Sequence, residues 1–248
     1  MRYSKNNITF AHFIYRSMKN VGRGSDSDVI SKITKDRERT NLLRKYEQAF
    51  LVYMVQRIPS WMSSNMLTGI GFGGSFITFG SFVLATYLQK EWLLLGIFGF
   101  LLNWFGDSLD GRLAYYRNRP RKWYGFSLDY IVDWLTNILI GSGYIIYVGG
   151  QQGELIGFGF VVLYGWAMMM ALLRYKIANQ YVIDSGLLGP TEVRLILSLA
   201  LVLEVAFAGT IIYSGLIACL ILFIFNIKDF RKLLKLADQC DKEETQTK

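Results

Sequence analysis

The apolar residues of this chain fall in six long runs, and that pattern limits the fold more than any other feature. A run of about 18 or more apolar residues is long enough to cross a bilayer as a helix. The runs lie at about residues 65–88, 92–114, 126–148, 153–174, 191–208 and 210–227, the last two joined through Ala208-Gly209. Inside a bilayer every backbone polar group needs an internal partner, which helices supply within one segment. The expected fold is therefore an all-α integral membrane protein of six transmembrane helices. Only 3 prolines interrupt 248 residues, and the 24 glycines lie mostly inside the runs, where they permit close helix approach.

Charge placement supplies a topology. Of the 27 Lys and Arg residues, all but Lys90 lie before the first run, at or in the loop between runs two and three, at the edges of the loop between runs four and five, or after the sixth. The positive-inside rule then assigns both termini to the cytoplasm. A net charge of +8 in a soluble domain would suggest nucleic acid, but here the basic residues flank apolar spans. Topology signals and anionic lipid headgroups are the better reading, with no nucleic-acid partner. Two cysteines, Cys219 and Cys240, give neither a disulfide framework nor a metal spacing. The single histidine, His12, is far in sequence from every acidic cluster, which argues against histidine or zinc chemistry. The first 40 residues lack an apolar core, so no cleavable leader is expected.

Four segments follow. Residues 1–38 are polar, with a flexible stretch at Gly22-Arg-Gly24-Ser-Asp-Ser-Asp. Residues 39–64 form an interfacial amphipathic helix and a turn. In it Leu42, Leu43, Tyr46, Phe50, Tyr53 and Met54 recur at helical steps, and Pro59-Ser-Trp61 ends it at the membrane surface. Residues 65–227 form the six-helix domain. Residues 228–248 are a cytoplasmic tail that opens amphipathic and is expected to fray at its charged end.

Four acidic residues sit at span edges, where charge is costly and therefore points to function. Asp107 and Asp110 close the second span, and Asp129 and Asp133 open the third. Spacings of three and four residues put each pair on one helix face. A short basic loop makes the two spans antiparallel neighbours, so the four carboxylates converge at one depth. Arg112 is the only basic residue within either span, and one cation cannot offset four acids. A pair of divalent cations can, and hard oxygen ligands favour Mg²⁺ or Mn²⁺. Two such ions could also clamp the phosphates of a nucleotide-activated substrate.

The stretch from Asp107 to Asp133 resembles the signature of the CDP-alcohol phosphotransferases, D-x-x-D-G-x-x-A-R followed by G-x-x-x-D-x-x-x-D. Asp107, Asp110, Gly111, Ala114, Gly125, Asp129 and Asp133 match it. Asn65 and Thr68 look like the family's Pro-Asn-x-x-Thr opening, with Ser64 in place of the proline. Tyr115 stands where the family has an arginine that helps hold the donor; Arg112 and Arg117 are the nearest alternatives.

The resemblance implies an enzyme of phospholipid biosynthesis that transfers a substituted phosphate from a CDP-alcohol to a hydroxyl and releases CMP. It implies that Asp107, Asp110 and Asp129 hold two metal ions and the diphosphate, and that Asp133 is the general base and also reaches a metal. Asn65, Thr68, Gly111, Ala114, Tyr115 and Gly125 would line the donor site. It further implies a homodimer. CDP-diacylglycerol with a polar acceptor (inositol, inositol phosphate or glycerol phosphate) is the first choice. A CDP-choline or CDP-ethanolamine enzyme acting on diacylglycerol is the alternative within the family, and a cation transporter the alternative from another class. Arg117, Arg174, Lys176 and Arg194 are candidates for binding an acceptor or phosphate, against a reading as plain positive-inside anchors. Glu204, in the fifth span, reads as snorkelling or as hydrogen-bonded to a neighbouring helix rather than as a pathway residue. Gly69, Gly71, Gly73, Gly74 and Gly80 read as close-packing positions, with Gly69 and Gly73 forming a GxxxG step.

Overall fold

The computed structural model describes residues 44–178 and 190–246. The polar segment 1–38, the start of the predicted amphipathic helix and residues 179–189 lie outside the described residues. The rest is helical: α1 (Arg44–Val55), α2 (Ser64–Tyr87), α3 (Leu93–Tyr116), α4 (Lys122–Val148), α5 (Gly150–Ala178), α6 (Pro190–Ala206) and α7 (Thr210–Gln246). A 3-10 turn, Lys90–Trp92, leads into α3. Five of these are long and apolar enough to cross a membrane: α2, α3 with its leading turn, α4, α5 and α7. The chain is thus a multi-pass membrane protein. α6 is shorter, at 17 residues.

Local signals explain where helices begin and turn. The Ser63 side chain accepts the Met66 N–H at 3.2 Å and caps α2. α3 ends in a Schellman turn. Arg119 N–H reaches Ala114 O at 2.9 Å, Asn118 N–H reaches Tyr115 O at 3.0 Å, and Asn118 holds φ +54°. Asn tolerates that left-handed conformation, and Pro120 follows where the helix cannot continue. Gly149 and Gly150, both at positive φ, reverse the chain between α4 and α5, and Gly209 does the same between α6 and α7.

α2 is the hub, packed against both α3 and α4; α5 packs on α4 and α7, and α6 on α3. Small residues bring α2 and α3 together. A Cβ on Gly74 would lie 2.5 Å from Gly99 O and 2.6 Å from Asn103 N. Gly71 meets Asn103 O at 3.2 Å in the same sense. By contrast a Cβ on Gly69, Gly73 or Gly80 would meet nothing within 4 Å. The glycines of this helix therefore divide into a packed face and an open one. Polar bonds reinforce the packed face. Asn103 Nδ2 donates to Gly71 O at 3.2 Å and Ser75 Oγ at 3.1 Å, and Ser75 pairs with Thr136 of α4 at 2.8 Å.

α1 rests on the end of this pair that carries the acids. Its buried face is Leu51, Val52 and Val55, packed on Leu67, Leu109 and Leu113. Phe50, expected on the apolar face, is 46% exposed, although its ring stacks on Trp104 at 6.1 Å. The buried stripe is thus rotated by about one residue from the expected one, because the partner surface is the α2–α3 junction. A second core cluster joins Phe82, Ala85, Leu93, Phe100, Leu201 and Ile211 at the other end. The tail is continuous with the last span: α7 runs without a break to Gln246. Arg174 pairs with Asp229 at 3.4 Å and Lys242 with Asp238 at 2.6 Å along that extension.

Candidate active site

The α3–α4 hairpin brings the acids together as their spacing implied, with one difference. Asp107, Asp129 and Asp133 each offer a carboxylate oxygen within 4.8 Å of the others, and all three are half-buried. Asp110 is outside that triad and more buried, at 6% exposure. Its Oδ2 accepts the Thr68 hydroxyl at 2.6 Å and its Oδ1 the Gly111 N–H. Ser64 Oγ donates to the Asp110 carbonyl at 2.8 Å. The first turns of α2 therefore fix the orientation of Asp110.

Arg194, on α6, enters the triad. Its Nη2 lies 2.8 Å from Asp107 Oδ2, and both side chains are mostly buried. Arg174 instead pairs with Asp229, and Lys176 is exposed. The two arginines thus serve carboxylates on different helices. Arg117 donates to the carbonyls of Ile58, Pro59 and Met62, so it holds the turn between α1 and α2. Arg112 is buried and donates to Ser108 O on its own helix.

Beside the acids lies a cavity of about 690 Å³. Asn65, Thr68, Gly111, Ala114, Tyr115 and Gly125 line it, and it reaches the acids at Asp110 and Asp129. A Cβ on Gly125 would meet nothing within 4 Å, consistent with backbone left open to a ligand. Sequence reasoning missed other lining residues of this cavity: Arg119, Arg121, Lys122, Trp123, Tyr124 and Tyr175. The signal was present in Arg119-Pro-Arg121-Lys122-Trp123-Tyr124, of which the basic residues were counted only as loop charge. Arg121 Nη2 donates to Asn65 Oδ1 at 2.6 Å, its guanidinium lies 4.1 Å from the Tyr124 ring centre, and Asn65 Nδ2 donates to Tyr124 OH at 3.1 Å.

The donor set suits a hard divalent cation. Three carboxylates supply oxygens only, at a mutual distance that one ion or a close pair can bridge. A bundle of membrane-crossing helices with an acid cluster where two helices meet, beside a pocket walled by cations, defines a membrane-embedded enzyme of phosphate-ester chemistry. The chain belongs to the CDP-alcohol phosphatidyltransferase family, whose sequence model matches residues 61–225. Its members are transferases of substituted phosphate groups in phospholipid biosynthesis, generally metal-dependent. A comparison with curated proteins finds no match.

Proposed function

We propose that this enzyme transfers a phosphatidyl group from CDP-diacylglycerol to a hydroxyl of a polar acceptor such as inositol, inositol phosphate or glycerol phosphate, releasing CMP. The observation that carries this reading is the Asp107–Asp129–Asp133 triad next to a cavity with cationic walls. A polar acceptor is favoured by Arg194, a cation already seated at the triad. Two bound Mg²⁺ or Mn²⁺ ions would offset the charge on the diphosphate and on departing CMP. Asp107, Asp110 and Asp129 would hold that centre, and through it the donor phosphates. Asp133 would reach it too and acts as general base. The acceptor oxygen forms a bond to the phosphatidyl phosphorus, the bond from that phosphorus to the CMP oxygen breaks, and the hydroxyl proton passes to the Asp133 carboxylate.

The wider architecture belongs to the same proposal. α6 completes six spans, since 17 residues is at the short end of the spanning range. Residues 39–64 lie along the membrane surface, residues 65–227 form the catalytic domain, and residues 228–248 extend on the cytoplasmic side. The positive-inside pattern supports cytoplasmic termini and a cytoplasm-facing active site. The open Gly69–Gly73 face of α2 supports a homodimer.

Membranes containing the protein, incubated with labelled CDP-diacylglycerol or CDP-choline, test the donor. CMP release from the first alone is expected. Release from CDP-choline with diacylglycerol alone would move the enzyme to the aminoalcohol branch, and divalent-cation flux without CMP release would make it a transporter.

A further inference from the structure

The family's donor-binding arginine is missing at Tyr115, yet Tyr115 lines a cavity that basic residues surround. Two of the nearby cations are engaged in holding the fold. Arg112 serves Ser108 O, and Arg117 serves the carbonyls of the α1–α2 turn. Arg121 differs. It is exposed to the cavity, hydrogen-bonded to Asn65 and stacked on Tyr124, so its position is set before any ligand arrives. The Schellman turn at Asn118 and Pro120 fixes the short connection that carries it. Asn65 takes one N–H of the guanidinium and leaves the rest of the fork for a ligand. A planar fork of N–H donors matches phosphate oxygens. Arg119 lines the same cavity without such support.

We propose that Arg121 replaces the missing arginine and binds a phosphate of the nucleotide donor, with Asn65 and Tyr124 as its positioning residues. Arg121 lines the same cavity as Asp110 and Asp129, and its contact adds to any charge neutralisation there. This inference rests on the reading of the cavity as the CDP-alcohol site.

The test is calorimetric titration of the full-length protein in nanodiscs, at fixed Mg²⁺, with CDP and separately with cytidine. Arg121→Ala is expected to weaken CDP binding about 10- to 100-fold, the size of a lost hydrogen bond to a charged group, with cytidine binding unchanged. Arg121→Lys should recover part of the loss. The double variant Arg121→Ala with Tyr115→Arg should recover more, since it returns a cation to the same cavity. Undiminished CDP affinity in Arg121→Ala overturns the inference while leaving the donor reading intact. A parallel loss of cytidine affinity also overturns it, because the side chain would then shape the pocket rather than grip phosphate. A wild-type protein that binds neither compound removes the donor reading and the inference together.

Discussion

Arg194 of α6 and Asp107 of α3 are joined across 87 residues of chain by a 2.8 Å ion pair at the edge of the carboxylate triad. The guanidinium partly offsets the charge of three clustered acids. Removing one partner of a mostly buried pair leaves the other uncompensated, and the fully buried case costs 3–5 kcal/mol. Arg194→Gln is therefore expected to lose about 2 kcal/mol of stability in chelator, discounted for residual exposure. Mn²⁺ should return most of it, so thermal melts with and without the ion should show a larger metal-dependent shift in the variant than in the wild type. Equal shifts would mean that the arginine and the ion do not act on the same charge.

Asp133 and Asp110 are expected to separate chemistry from architecture. Asp133→Asn should lower CMP release by roughly 10²- to 10⁴-fold, the range for loss of a general base, while nucleotide binding is largely spared. Unchanged turnover would sink the assignment of Asp133. Asp110→Asn should instead weaken the tie to Thr68 and lower stability as well as turnover, because Asp110 is more deeply placed and its carboxylate accepts the Thr68 hydroxyl.

Gly74→Ala should force α2 and α3 apart, since the new methyl would meet backbone atoms of Gly99 and Asn103 that have no rotamer to change. A stability loss of about 1–3 kcal/mol is expected, with reduced CMP release, because α2 carries Thr68 and α3 carries Asp107. Gly80→Ala, where a Cβ meets nothing within 4 Å and which lies outside the Gly69–Gly73 step, is the control and should shift the melting temperature little. Similar losses in both would contradict the division of the helix into two faces.

Glu204 collects four donors: Tyr147 OH, Gly209 N–H, Thr210 Oγ1 and Ile211 N–H. It is buried at 3% exposure and caps the start of α7 from the end of α6. Glu204→Leu should destabilise the protein through the lost bonds, while the KM for the donor is unaffected in the surviving fraction. A changed KM with an unchanged melting temperature would point to a part in substrate passage instead.

Periodicity and charge were enough to place Asp107, Asp110, Asp129 and Asp133 on two adjoining helices, because a helix fixes which residues share a face. They could not separate Asp110 from the other three, since that depends on Thr68 arriving from α2. Arg194 was visible as a basic residue near a loop, but its partner lies on a helix distant in sequence. Arg117, expected as a ligand-binding cation, lines the cavity and also bonds three backbone carbonyls, a use of arginine that composition does not mark. Glu204 read as either snorkelling or bonded to a neighbouring helix, and the structure shows the bonds; which donors it meets emerges only from the turn at Gly209.

That turn bears on how the chain enters the bilayer. The carboxylate of Glu204 is satisfied largely by groups made after it, at Gly209, Thr210 and Ile211. On the six-span proposal, a lone α6 leaving the translocon would carry an unmatched acid into hydrocarbon, at a cost of several kcal/mol. With the first turn of α7 already formed, the same acid has its donors and α7 has its cap. Partition into lipid thus favours the two segments as one hairpin, so a nascent chain halted before Gly209 should leave α6 poorly inserted.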